Sequence, residues 1–203
     1  MSTNPTLIFN SFNSFNTSKR LVILTHGASE GIENSFIQNI IHKFSENKVS
    51  VLALQMPFKV RGENSSSGSE LLEELEAVKQ AMKLVNLFEY DSIDFIGKSL
   101  GGIIFSKFLN NQNVNFQTKT SLTILGYIYG DVEINNYSGK LFVIQGENDK
   151  YGSKQDIEKD LDNSVSNDKS LLIIPNADHS YRNENKEPAF QGEVVEMLDK
   201  MLR

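Results

Sequence analysis

The sequence predicts an α/β architecture: a mostly parallel β-sheet forming the middle of three layers, with helices on both faces. Three observations predict it. Short continuous apolar runs recur along the chain, the pattern of strands buried on both faces. They alternate with longer segments of helical periodicity, and this alternation builds parallel sheets through crossover helices. The residues with the most chemical potential fall just after strands, where open α/β sheets bind ligands.

Each element follows in turn. Residues 10–18 (NSFNSFNTS) place Phe among polar residues, which suits a hairpin or an edge strand. Residues 21–25 (LVILT) form the first buried strand. In residues 34–46, Phe36, Ile37, Ile40, Ile41 and Phe44 repeat at helical spacing. Residues 49–54 (VSVLAL) give the next strand, and residues 61–69 (RGENSSSGS) the clearest loop. A second helical stripe follows, made by Leu71, Leu75, Val78, Met82 and Val85, with Ser67 and Glu70 at capping-box spacing before it and Ser69 as the alternative cap.

Residues 93–96 read as a short strand leading to Gly97, and residues 100–109 as a helix. Three further strands are expected at 121–125, 141–145 and 171–174, with a weaker helix at 153–161 between the last two. Pro188 suits the first turn of a final helix in which Phe190, Val194, Leu198 and Met201 share a face. No repeat and no domain boundary interrupts the 203 residues, so one domain spanning 1–203 is expected.

Composition narrows the function. The formal charge is −6 and the basic residues are scattered, which argues against a nucleic-acid partner. There is no cysteine, hence no disulfide, thiolate metal site or cysteine nucleophile. No His/Asp/Glu cluster has metal-ligand spacing, and no metal or cofactor is called for. Residues 1–10 lack the basic start and apolar run of a signal peptide, and no apolar stretch reaches membrane-spanning length. A cytoplasmic location is the default expectation.

The chemistry centres on residues 94–102, DFIGKSLGG. Gly97-Lys98-Ser99-Leu100-Gly101 is a G-x-S-x-G sequence between a strand and a helix, the context of a nucleophile elbow. Ser99 would sit on a sharp turn, with Gly97 and Gly101 letting strand and helix approach. The glycine-rich turn lacks the order of a phosphate-binding loop, which sets nucleotide binding aside.

Candidate partners follow Ser99 in the chain. The 141–152 segment (LFVIQGENDKYG) carries Asp149 at the tip of a turn after a strand, and the 171–181 segment (LLIIPNADHSY) carries His179 in a loop after another. His179 would take the proton of Ser99 and return it to the leaving group, while Asp149 fixes the imidazole tautomer. Glu147 and Asp178 compete for the acid role. Asp178 adjoins the histidine it would have to orient, and Glu147 is expected to fall short of its loop. His42 reads as a solvated helix residue. Residues 24–31 (LTHGASEG) supply the remaining element: the N–H groups of Ala28 and Leu100 would form an oxyanion hole, with His26 and Gly27 supporting that loop.

On THGAS at 25–29, GKSLGG at 97–102, GENDKYG at 146–152 and NADHSY at 176–181, the chain resembles the α/β-hydrolase superfamily. Within it the likeness is to the small dienelactone-hydrolase-like branch. The resemblance implies a three-layer α/β-hydrolase sandwich and triad chemistry. The name-giving enzymes use cysteine where this chain has Ser99, so their substrate is not carried over. No long insertion separates residues 125 and 141, where many relatives place a helical cap, so an open site is expected, walled in part by Tyr127 and Tyr129. The expected activity is cleavage of an ester or thioester of a small acyl substrate through an acyl-serine intermediate. A peptidase or acyltransferase on the same residues, or a non-catalytic binding protein, are the alternatives.

Overall fold

The computed structural model describes residues 8–13 and 19–201. Its seven strands are β1 (Ile8–Asn13), β2 (Arg20–Thr25), β3 (Ser50–Gln55), β4 (Ser92–Lys98), β5 (Thr120–Leu125), β6 (Lys140–Gly146) and β7 (Lys169–Ile174). They form one sheet in the order β1-β3-β2-β4-β5-β6-β7. β1 is an antiparallel edge strand against β3, with its register shifting between Phe9 and Ser11; the other six strands are mutually parallel. Of the two readings of residues 10–18, the edge strand holds through Asn13, and residues 14–18 lie outside the described residues.

The helices are α1 (Ser35–Glu46), α2 (Pro57–Val60), α3 (Leu72–Leu84), α4 (Leu100–Asn110), α5 (Val114–Gln117), α6 (Lys154–Asn163) and α7 (Gln191–Met201). Strand alternation distributes the core between them. Leu21 and Ile23 of β2 face a cluster completed by Val78 and Ala81 of α3, Ile104 and Phe105 of α4 and Ile157 of α6. Val22 and Leu24 face the other way, onto the α1 stripe and onto Val194 and Leu198 of α7. All five α1 stripe residues are buried, each contributing roughly 1.5–3 kcal/mol. The result is the expected three-layer sandwich.

Two local expectations are corrected. Ser67 and Glu70 form no capping box, because α3 begins beyond Leu71, itself at φ 54°. The Ser67 hydroxyl and N–H instead donate to the buried Glu74 carboxylate at 2.6 and 2.9 Å. Pro188 precedes the last helix rather than opening it; its carbonyl accepts the N–H of Gln191, where α7 starts. The four-residue helices α2 and α5 were not anticipated, being too short to show a period. The capping box that does form belongs to α6, between Ser153 and Asp156.

The sheet order positions the site. From β2 the chain crosses to β3 on one side, then returns to β4 on the other and continues outward. The crevice between the carboxyl ends of β2 and β4 is therefore the topological switch point, the preferred ligand position in such sheets.

Candidate active site

Ser99 lies in that crevice, between the last residue of β4 and the first of α4. Its backbone sits at φ 52°, ψ −115°, outside the regions a side chain normally allows, a strain of order 1–3 kcal/mol. The Ser99 N–H donates to Leu125 O at 2.8 Å, and its carbonyl accepts from Gly102 N–H at 2.8 Å, which pins the turn from both sides. A Cβ at Gly97 would stand 2.4 Å from the backbone of Gly101 and Gly102, and one at Gly101 would stand 2.8 Å from His26 O. Both glycines are required by close approach of backbone to backbone.

His179 projects from the loop after β7. Asp178 builds that loop: its carboxylate accepts from the N–H groups of Ser180 and Arg182 at 2.9 and 3.0 Å and pairs with the Arg182 and Lys186 side chains. Burial works to raise the Asp178 pKa, but these hydrogen bonds and the two cations outweigh it and hold the carboxyl at about 2. The imidazole beside it contacts different groups. Ser99 Oγ–H donates to His179 Nε2 at 2.8 Å, and Nδ1–H donates to Asp149 Oδ2 at 2.6 Å.

The Asp149 side chain is fully buried, and its other oxygen accepts the N–H of Tyr151 at 2.9 Å. Glu147 reaches further than expected, accepting Asn176 N–H at 2.9 Å at the start of the histidine loop, yet its carboxylate is committed there and not to the imidazole. Burial lowers the His179 pKa; Asp149 opposes this and Lys98 reinforces it.

The loop after β2 closes the other side. A Cβ at Gly27 would stand 3.4 Å from Ser99 Cβ, so this loop lies directly against the elbow. His26 is fully buried, receives Met56 N–H on Nε2 at 3.1 Å, and donates Nδ1–H to Gly27 O at 2.7 Å. Both bonds are satisfied together only by the neutral Nδ1–H tautomer. Burial lowers its pKa accordingly. His42 is exposed, as expected, beside Glu46.

Ser99, His179, Ala28 and Leu100 all line a cavity of about 430 Å³. Leu100 is the first residue of α4, so its N–H has no helical acceptor. Leu100, Ile103 and Ile128 give the cavity an apolar side, while Glu30 and Asp131 place carboxylates on its wall. Larger cavities, of about 520 and 690 Å³, lie at the opposite ends of the strands, near Arg20 and Phe88, away from these groups.

The expected tyrosine wall is corrected. Tyr127 is fully buried, with its hydroxyl on Asp160, and neither it nor Tyr129 lines the cavity. The chain turns at Gly126 (φ 74°), where the alternation of β5 ends, and Ile128 takes the wall position. Residues 126–139 contain no helix. Two lining elements were missed. Tyr151 packs its ring edge-to-face on His179 at 4.6 Å, and Asn64, Ser65 and Ser66 line the cavity from the loop before α3. The signal for Tyr151 was its place two residues after Asp149; nothing in RGENSSSGS pointed to the site.

Residues 18–202 match the model of a family described as the alpha/beta hydrolase domain, and the chain belongs to that family. A search of curated proteins gives no match. Among solved structures, an alpha-beta serine hydrolase homologue from Coxiella burnetii superimposes with a TM-score of 0.72 at 14% identity, covering 100% of this chain and 99% of that one. Est1E from Butyrivibrio proteoclasticus, with ferulic acid bound, gives 0.65 at 15% identity over 97% of both chains. The esterase Pf2001 of Pyrococcus furiosus gives 0.65 at 14% identity, over 98% of this chain and 92% of that one. At these identities the likeness is one of fold.

Proposed function

We propose that the protein is a serine hydrolase that cleaves a carboxylic ester or thioester through an acyl-serine intermediate. The observation that carries this reading is the continuous relay from Ser99 Oγ through His179 to Asp149, with contacts of 2.8 and 2.6 Å, at the switch point of the sheet. Neutral His179 accepts the Ser99 proton as Oγ attacks the acyl carbon, and Asp149 stabilises the imidazolium that forms. The developing oxyanion is received by the N–H groups of Ala28 and Leu100. His179 then protonates the leaving group, and a water activated by the same imidazole releases the acid and restores Ser99.

The acyl group lies against Leu100, Ile103 and Ile128. Glu30 and Asp131 disfavour an anionic one. The structural neighbour Pf2001 is named as an esterase, which agrees with this substrate class. The test is labelling by a fluorophosphonate, together with turnover of p-nitrophenyl esters of increasing chain length. Ser99→Ala is expected to fold, to escape labelling and to lose on the order of 10⁴-fold or more in kcat. Wild-type protein that neither labels nor turns over any ester would refute the reading and favour a binding role.

A further inference from the structure

Lys98, between Gly97 and Ser99, takes no part in the relay. As the last residue of β4 it shares the sheet face of Ile96, which packs toward α1 and α7, and its side chain runs beneath the histidine loop. Its ammonium lies 5.8 Å from the centroid of the buried Tyr181 ring and makes no hydrogen bond or ion pair with a side chain among the described residues. A Cβ at Gly126 would stand 2.8 Å from Lys98 Nζ and 3.1 Å from His179 Nδ1. The two groups thus flank a single glycine, within the roughly 6 Å at which a charge shifts its neighbour's protonation.

Burial is the first influence that lowers the His179 pKa, and Asp149 works against it. A carboxylate 2.6 Å from Nδ1 favours the imidazolium, and an imidazole already protonated cannot receive the proton of Ser99. Lys98 supplies the opposing charge at the same place. The other groups around the imidazole are Asp178 and Arg182 on its own loop, Tyr151 after β6, Tyr181 beneath and Glu30 after β2. Asp178, although paired with Arg182 and Lys186, adds to the pull of Asp149, so Lys98 is the cation set against both carboxylates.

We propose that Lys98 is a positioning residue that offsets the charge of Asp149 and, together with burial, keeps His179 in its neutral, proton-accepting form. Burial pushes the Lys98 pKa down to about 8, so the ammonium is still charged across the range in which His179 titrates. Lys98 is half-buried at the edge of a small cavity that Glu30, Phe36, Ile37 and Ser180 also line, and methionine keeps the length of its stem while removing the charge.

The role rests on His179 being the base of the proposed hydrolase, and the experiment separates the two ideas. The His179 titration is followed by long-range proton–nitrogen correlation in wild type and Lys98→Met, with His179→Gln identifying its resonances among those of the three histidines. This readout needs no substrate. The midpoint is expected to rise by about one pH unit on loss of the ammonium. With an active ester, the acid limb of kcat/KM should move by the same amount and the plateau should not fall. If Met is not tolerated, Lys98→Gln serves. A midpoint that stays where it is in a folded variant overturns the proposal, whether or not the protein hydrolyses esters. A midpoint that moves in a protein without esterase activity supports it and counts against the hydrolase reading alone.

Discussion

Replacing Asp149 with Asn tests the relay at the position where the sequence leaves competitors. The structure fixes what the amide must do. Asp149 uses two acceptor oxygens, one for Tyr151 N–H at 2.9 Å and one for His179 Nδ1–H at 2.6 Å. Asn has a single acceptor oxygen and an NH2 group that only donates. The Tyr151 N–H cannot change its role, so the oxygen stays there and the NH2 turns to Nδ1. Nδ1 must then accept, the ring proton moves to Nε2, and the nitrogen facing Ser99 Oγ can no longer take its proton. The opposite rotamer sets NH2 against the Tyr151 N–H and strands a buried donor, costing about 1–3 kcal/mol.

The expected loss is on the order of 10⁴ in kcat, about 5.5 kcal/mol of transition-state stabilisation. The assay is single-turnover hydrolysis of a p-nitrophenyl ester at plateau pH, with Asp178→Asn and Glu147→Gln measured alongside. Asp178→Asn should cost far less in kcat and show mainly as a lower Tm, since its carboxylate ties the loop rather than the imidazole. Glu147→Gln should be mild. Asp149→Asn within tenfold of wild type, with one of the controls losing 10³ or more, would refute the reasoning and move the acid role.

Gly97→Ala sets a methyl 2.4 Å from backbone atoms of Gly101 and Gly102, which no rotamer change relieves. It should destabilise the protein by about 1–3 kcal/mol or more and abolish fluorophosphonate labelling; wild-type labelling and Tm would show that the elbow is not this tight. Burial holds both His26 and His179 below their ordinary pKa of 6.5, so the unfolded chain takes up protons that the folded one refuses. Stability from these groups is therefore complete above pH 6.5 and declines as pH falls toward their folded-state values. Replacing His26 by Gln should make the drop in Tm between pH 7.5 and 5.5 shallower than in wild type, and an equal slope would remove His26 from the account.

Most of the sheet was legible because its strands are buried on both faces, and such strands announce themselves as unbroken apolar runs. LVILT, VSVLAL and LFVIQ admit few other readings. What escaped is what has no period. α2 and α5 have four residues each, and the start of α3 is set by a left-handed Leu71 and a Ser67–Glu74 contact that matches no capping pattern. The expectation of Tyr127 and Tyr129 on the wall takes no account of how the chain leaves β5. The positive φ of Gly126 breaks the alternation of β5 and turns Tyr127 inward onto Asp160.

The site divides along the same physical line. Ser99 could be read because the elbow is local: two glycines are needed where backbones touch, and both lie within two residues of the serine. Asp149 is preferred over Glu147 in the sequence because Glu147 is expected to fall short of the loop after β7, yet both reach that loop. They differ in where they land. Glu147 lands on the Asn176 N–H at the mouth of that loop and Asp149 on the imidazole. That difference depends on Asp178, which folds the loop over Arg182 and Lys186 and sets His179 above Asp149. The acid adjacent to the histidine in sequence therefore acts on the histidine through the backbone, and the acid thirty residues away touches the ring. The part played by Lys98 is not legible in the motif for the same reason: its neighbours, Gly126, Tyr181 and His179, come from two other strand ends. In this fold the strand ends carry the candidate site residues, and the crossings between them decide which of these meet.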